Sequence, residues 1–155
     1  MNALLEAAHP AHLLLPLFLH FGLVVALYAA LTFARLAAVA RGQATHGDFA
    51  RAGGDPEASA RIQRNLANQF EAPLFAWAGA LVLILDASVL TIDVAAAWLF
   101  FAGRVLHTLV QTLTDDVPLR GRVFVINFLG VCLLMGHAAL NLALGLWPAL
   151  EGARP

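Results

Sequence analysis

From Leu13 to Ala34 the chain carries no acid, lysine or arginine, and only Pro16 and His20 interrupt its apolar character. About 20 apolar residues, at about 1.5 Å of rise each, match the hydrocarbon thickness of a bilayer. A helix keeps its backbone hydrogen bonds within one segment, which lipid demands. The rest of the chain obeys the same constraint. Of its 155 residues, 61% are hydrophobic and 12% charged, with a mean hydropathy of +0.78. Soluble domains carry about 25% charge. The chain reads as an all-α integral membrane protein, long enough for four spans with short connections and too short for a separate soluble domain.

Punctuation places the spans at about 12–41, 56–86, 94–114 and 118–147, within a single domain over 1–155. Arg35, Arg41 and Gly42 stop the first. Gly53-Gly54-Asp55-Pro56 is turn chemistry that launches the second, with Glu57 suited to its first helical turn. Leu74 to Leu85 alone is uniformly apolar there, too short to span, so the polar half must enter the membrane or pack on other helices. Asp86–Asp93 and Thr114–Pro118 are short connections, and the tail 151–155 reads as frayed. The N-terminus lacks a positive segment and carries Glu6, so it does not read as a cleaved signal peptide. Net charge of −1 argues against nucleic acid, and the single cysteine, Cys132, offers neither a disulfide nor a metal site. All basic residues are arginine, concentrated around the first and third loops. The positive-inside rule puts those loops in the cytoplasm and both termini outside.

Polar residues inside such spans mark candidate sites. Arg61, Arg64, Asn68 and Glu71 are spaced three, four and three apart. On one continuous helix they share an arc of roughly 80°. Arg104, His107 and Gln111 form a second stripe within roughly 60°. A buried arginine needs a counter-ion, so Glu71 is expected to meet Arg104, either as a structural staple or within a site. Arg61, Arg64, Arg120 and Arg122, with Arg35 nearby, outnumber the acids within reach. Guanidinium forks match carboxylates and phosphates, so this surplus invites an anionic ligand. Arg41 and Arg51 are read as facing lipid headgroups, and Arg64 and Arg120 as pointing inward. His107 is expected to hydrogen-bond a neighbouring helix, as are His20 and His137 nearer the outer half. His9, His12 and His46 are expected to be exposed, and no HxxxH or HExxH pair is present.

The combination RxxRxxxNxxE followed at once by a proline, RxxH in the third helix and PLR opening the fourth resembles the MAPEG superfamily, membrane-associated proteins in eicosanoid and glutathione metabolism. The likeness covers nearly the whole chain, and ANQFEAPLF and RVLHTLVQ are most similar to small bacterial members. It implies a four-helix subunit, a homotrimer in a bacterial inner membrane, and a glutathione site between subunits without a metal. By this resemblance Arg64, Asn68, Glu71, Arg104 and His107 bind glutathione, with Arg35 and Arg122 as further contacts. Arg120 corresponds to the arginine that stabilises the glutathione thiolate.

The chain departs from the better-studied mammalian members. Gln111 and Phe124 stand where tyrosines are found, Gly121 where a serine is, and Ala67 where an arginine is. Tyr28 is the only tyrosine. Two functions follow: a glutathione-dependent transferase or peroxidase acting on lipophilic electrophiles or lipid hydroperoxides, or a non-enzymatic protein that binds membrane lipids or serves as a scaffold.

Overall fold

A computed structural model describes residues 3–152, with side chains described for residues 3–145. Five α-helices follow in order: α1 Pro10–Ala40, α2 Glu57–Ala67, α3 Ala72–Leu85, α4 Thr91–Leu113 and α5 Val117–Gly152. They make four segments long and apolar enough to cross a membrane, because α2 and α3 together supply one. No strand occurs among the described residues.

The ends of α1 and α4 show local sequence at work. His9 Nδ1 accepts the Ala11 N–H at 3.2 Å, and Pro10 opens α1, where its missing N–H has no helical partner to lose. Asp93 Oδ2 accepts the Leu90 N–H at 2.8 Å at the start of α4, a carboxylate placed at the favourable end of the helix dipole. Against the expectation of a frayed tail over 151–155, Glu151 and Gly152 belong to α5. Residues 153–155 lie outside the described residues.

The second span is not one helix, contrary to the expectation of a continuous 56–86. It breaks at Asn68–Glu71. Pro73 has no N–H for the Gln69 carbonyl, and its ring crowds that carbonyl. The backbone tightens into i→i−3 bonds there, from Gln69 N to Leu66 O and from Phe70 N to Ala67 O, both 3.0 Å. Glu71 sits at φ −93°, ψ −109° just before α3. A freed carbonyl in a membrane needs another donor. For Asn68 O, freed at the same break, Arg104 supplies it, donating from Nη2 at 3.2 Å.

The core lies at the level of α3, α4 and α5, with Leu13 and Leu17 of α1 joining Ala76, Ala80, Phe100 and Leu134. Small residues let the backbones approach, the usual basis of helix association without a hydrophobic drive. A Cβ on Gly103 would lie 2.6 Å from the Asn127 backbone nitrogen, and one on Gly130 would lie 2.6 Å from Ala96 O. At one end, Thr91 N donates to Glu6 O at 2.9 Å, tying the N-terminal segment to the start of α4. At the other, Arg61 joins α2 to Asp115 in the α4–α5 connection at 2.5 Å. The first and third loops therefore share an end, and it is there that the arginines gather.

Candidate functional site

A chain of polar side chains, neutral except for Arg104, runs through the bundle interior. Trp77 Nε1 donates to His20 Nδ1 at 3.2 Å. An indole N–H only donates, so His20 accepts at Nδ1 and carries its proton at Nε2. That nitrogen lies 3.0 Å from Gln69 Oε1. The same oxygen accepts Arg104 Nε at 3.1 Å. Gln69 Nε2 donates to Asn65 Oδ1 at 2.9 Å and to Thr108 Oγ1 at 3.3 Å. Thr108 in turn donates to Asn65 Oδ1 at 3.1 Å. Asn65 Nδ2 and Asn68 Nδ2 both donate to Gln111 Oε1, at 3.0 and 3.2 Å. Buried polar groups in so dry an environment hold only when matched in this way.

Gln111 ends the chain at a cavity. This cavity, of about 200 Å³, is lined by Glu57, Arg61, Arg64, Gln111, Asp115 and Arg120, among others. Arg61 Nε and Arg64 Nη2 each lie 3.0 Å from Glu57 Oε1. Arg61 also pairs with Asp115. Arg120, half-buried, makes no salt bridge among the described residues.

The sequence-predicted residues do not converge as one stripe. Arg61, Arg64 and Arg120 line the cavity, and Asn68 reaches it through Gln111. Arg35 does not join them. It donates to Asp55 at 2.8 and 2.6 Å and lies 5.1 Å from the centre of the Phe49 ring. The Asp55 side chain is 3% exposed, and the hydrogen bond from Arg35 holds its carboxyl below the usual range. Arg122 is exposed and does not line the cavity. The expected arginine excess also shrinks there, since Glu57, Asp115 and Asp116 share the lining with Arg61, Arg64 and Arg120.

The expected Glu71–Arg104 pair does not form within the chain. The break before Pro73 turns Glu71 outward, where it is exposed, while Arg104 is 0% exposed and bonded to Gln69 and Asn68. His107 also differs from expectation. It makes no hydrogen bond among the described residues, and its ring packs against Phe124 at a centroid distance of 6.0 Å. His20 and His137 are interhelical contacts as expected, the latter 2.9 Å from Asp93 Oδ1. His9, His12 and His46 are exposed. No metal-binding cluster occurs among the described residues.

Sequence reasoning missed Asn65, Gln69 and Thr108. They carry no charge, so nothing flagged them as costly. The available signal was spacing. Asn65 and Gln69 are four apart, and Arg104, Thr108 and Gln111 repeat at four and three, which gives two facing polar ridges.

Four membrane-spanning segments around a polar interior that opens at one end onto an arginine-lined cavity define an integral multi-pass membrane protein with a built polar site. Residues 13–140 match the MAPEG family, and the chain belongs to it. That membership supports a membrane protein of the glutathione and eicosanoid-metabolism type. No curated protein matches the chain, and no solved structure does.

Proposed function

We propose that this protein is a glutathione-dependent membrane transferase or peroxidase acting on lipophilic electrophiles or lipid hydroperoxides. The observation that carries the reading is Arg120, the arginine in the cavity lining without a carboxylate partner among the described residues. A guanidinium beside a thiol favours the thiolate, the nucleophilic form. Arg64 is held only by Glu57, with both side chains more than half exposed. A glutathione carboxylate displaces Glu57 from it at little cost. Asn68 and Gln111 offer amides to the peptide backbone. Glu71, Arg104, His107, Arg35 and Arg122 complete the candidate set, farther from the cavity.

The thiol proton leaves to solvent, and the sulfur forms a bond to the electrophilic carbon as its leaving group departs. With a hydroperoxide the sulfur takes the distal oxygen, the O–O bond breaks and the lipid alkoxide leaves as the alcohol after taking a proton from solvent, and a second glutathione converts the sulfenic acid to a disulfide and water. A single chain encloses about 200 Å³, below the roughly 300 Å³ at which ligand pockets begin. Neighbouring copies in a homotrimer would complete the site, with the lipophile arriving from the bilayer near Phe124. The arginine-rich end lies in the cytoplasm by charge asymmetry, and a bacterial inner membrane is the proposed setting.

A second reading, non-enzymatic lipid binding or scaffolding, is favoured by one feature. A groove of about 320 Å³ on α1 and α3 is lined by Phe21, Val25, Tyr28, Phe70, Leu74 and Trp77, among others. Lipid or a neighbouring copy fills such a groove.

The test adds glutathione to purified protein and follows thiolate absorbance in the ultraviolet, with native mass spectrometry for assembly. Wild type should bind and show the thiolate band. Arg120→Ala should lose the band and remain trimeric. Neither binding nor a band in wild type removes the transferase reading in favour of lipid binding.

A further inference from the structure

A guanidinium and an indole can only donate hydrogen bonds, and these two groups fix the direction of every bond in the polar chain. Arg104 Nε donates to Gln69 at 3.1 Å, so the atom it meets is the amide oxygen. Trp77 Nε1 donates to His20 Nδ1, so His20 Nε2 carries the proton and donates to the same oxygen at 3.0 Å. Two independent donors thus give Gln69 one orientation. Its Nε2 faces Asn65 and Thr108 at 2.9 and 3.3 Å, and the Asn65 atom that receives it is Oδ1. Asn65 Nδ2 is thereby turned towards Gln111 at 3.0 Å, where it must meet an acceptor, Oε1. Asn68 Nδ2 donates to that same oxygen at 3.2 Å.

Gln111 therefore spends its oxygen inward, on two donors. The residue is 7% exposed. Its Nε2 makes no hydrogen bond among the described residues and is not one of their enclosed orphan atoms. It opens instead on the cavity of about 200 Å³ that Gln111 lines. A free amide would offer that cavity oxygen or nitrogen alike. Asn65 and Gln69, 0% and 2% exposed, remove the choice, because turning Gln111 over would set its N–H groups against theirs. In a dry interior such a mismatch is costly.

We propose that the polar chain sets the specificity of the cavity: Gln69 and Asn65 are positioning residues that hold Gln111 with Nε2 towards the ligand, so this wall takes a hydrogen-bond acceptor and turns away an ammonium. A tyrosine hydroxyl, found at this place in the better-studied members, both donates and accepts. Gln111 held in this way only donates. For glutathione, and resting on that reading, a carboxylate, thiolate or carbonyl oxygen goes to Gln111, while the ammonium stays with the carboxylates of the lining, Glu57 and Asp116. The orientation itself belongs to the unliganded protein and stands or falls independently of glutathione.

The experiment uses full-length protein in detergent micelles, labelled with 15N at the glutamine side-chain amides, with the Gln111 signal assigned by its loss in Gln111→Met. In wild type both Gln111 amide protons should exchange rapidly with water. Protected protons would mean that they are donated inward, and would overturn the proposal. In Gln69→Glu the carboxylate still accepts from Arg104 and His20 but has no proton for Asn65. Asn65 turns to donate to it, its oxygen then receives Gln111 Nε2, and the Gln111 oxygen faces the cavity. The Gln111 amide protons should become protected, the reverse of what a merely loosened interior gives. Unchanged exchange in that variant would remove Gln69 and Asn65 as positioning residues and overturn the proposal. Gln111→Glu keeps both inward bonds and puts a carboxylate oxygen where Nε2 was. Calorimetry should show glutathione binding weakened about tenfold or more, a charge-assisted hydrogen bond having become a repulsion. Binding as tight as wild type would overturn the acceptor preference. A wild type that binds no glutathione removes the transferase reading, and the exchange data still decide the orientation. If Gln69→Glu does not fold, wild-type exchange and Gln111→Glu decide.

Discussion

Replacing Gln69 with leucine should be among the most damaging single changes in this protein. The side chain is 2% exposed and makes four hydrogen bonds, with His20, Arg104, Asn65 and Thr108. Leucine fills a similar volume, so the loss is polar rather than a cavity. Asn65 Oδ1 keeps Thr108 as a donor, and Thr108 Oγ1 keeps its bond to Asn65. His20 Nε2 and Arg104 Nε are the groups left orphaned. Each orphan costs about 1–3 kcal/mol, more for a charged group, giving a loss of roughly 2–6 kcal/mol. Interhelical hydrogen bonds measured inside a membrane average only about 0.6 kcal/mol, and the three such bonds, to His20, Arg104 and Thr108, give about 1.8. The two routes meet at about 2 kcal/mol, a substantial part of a stability of about 5–15. The assay is unfolding in mixed micelles followed by circular dichroism, with Arg122→Ala as the exposed control, expected within about 0.5 kcal/mol of wild type. Gln69→Glu should fall between wild type and leucine, because its carboxylate still accepts from His20 and Arg104 but no longer donates. A Gln69→Leu protein as stable as the control, or a glutamate less stable than the leucine, would refute the polar chain as the organiser of this interior.

Gly103→Ala should destabilise by roughly 1–3 kcal/mol in the same assay, since its Cβ meets backbone rather than a movable side chain. Glu71→Gln should cost less than about 0.5 kcal/mol in dissociated single chains, where Glu71 is exposed; a larger loss would restore its pairing with Arg104. Asp55 carries a lowered carboxyl pKa through its bond to Arg35. The stability from that pair is therefore fully present above the unfolded-state pKa of an aspartate and is lost as pH falls through the lower folded-state value. Hydrogen exchange in residues 42–56 should accelerate over that acidic range, and Asp55→Asn should remove the pH step and cost roughly 1.5–3 kcal/mol.

The apolar lengths and the turn residues were local facts, and they carried the span count and the helix starts to within a few residues; Pro73 was equally local, yet the expected second span ran straight through it. Arginine asymmetry likewise grouped the first and third loops at one end, where the Arg61–Asp115 contact joins them. These properties need only one segment and its solvent. The partner of each buried polar group was not local. Once Pro73 breaks the second span, the faces before and after it no longer share an arc, so Glu71 leaves the stripe that holds Arg64. Arg104 then takes an amide and a carbonyl in place of a carboxylate, which only the folded backbone provides. Asn65, Gln69 and Thr108 became the inner face because neutral side chains can be desolvated when matched, whereas the long charged arms of Arg61 and Arg64 reach the rim and stay hydrated. Burial of the first set, and the half-buried and exposed places of Arg61 and Arg64 at the rim, depend on what the other helices present to them. The sequence by itself determined that this chain crosses a membrane as helices with arginines at one end; the tertiary structure alone decided which polar groups meet inside, because hydrogen-bond satisfaction in a dry interior is a property of the whole set of neighbours.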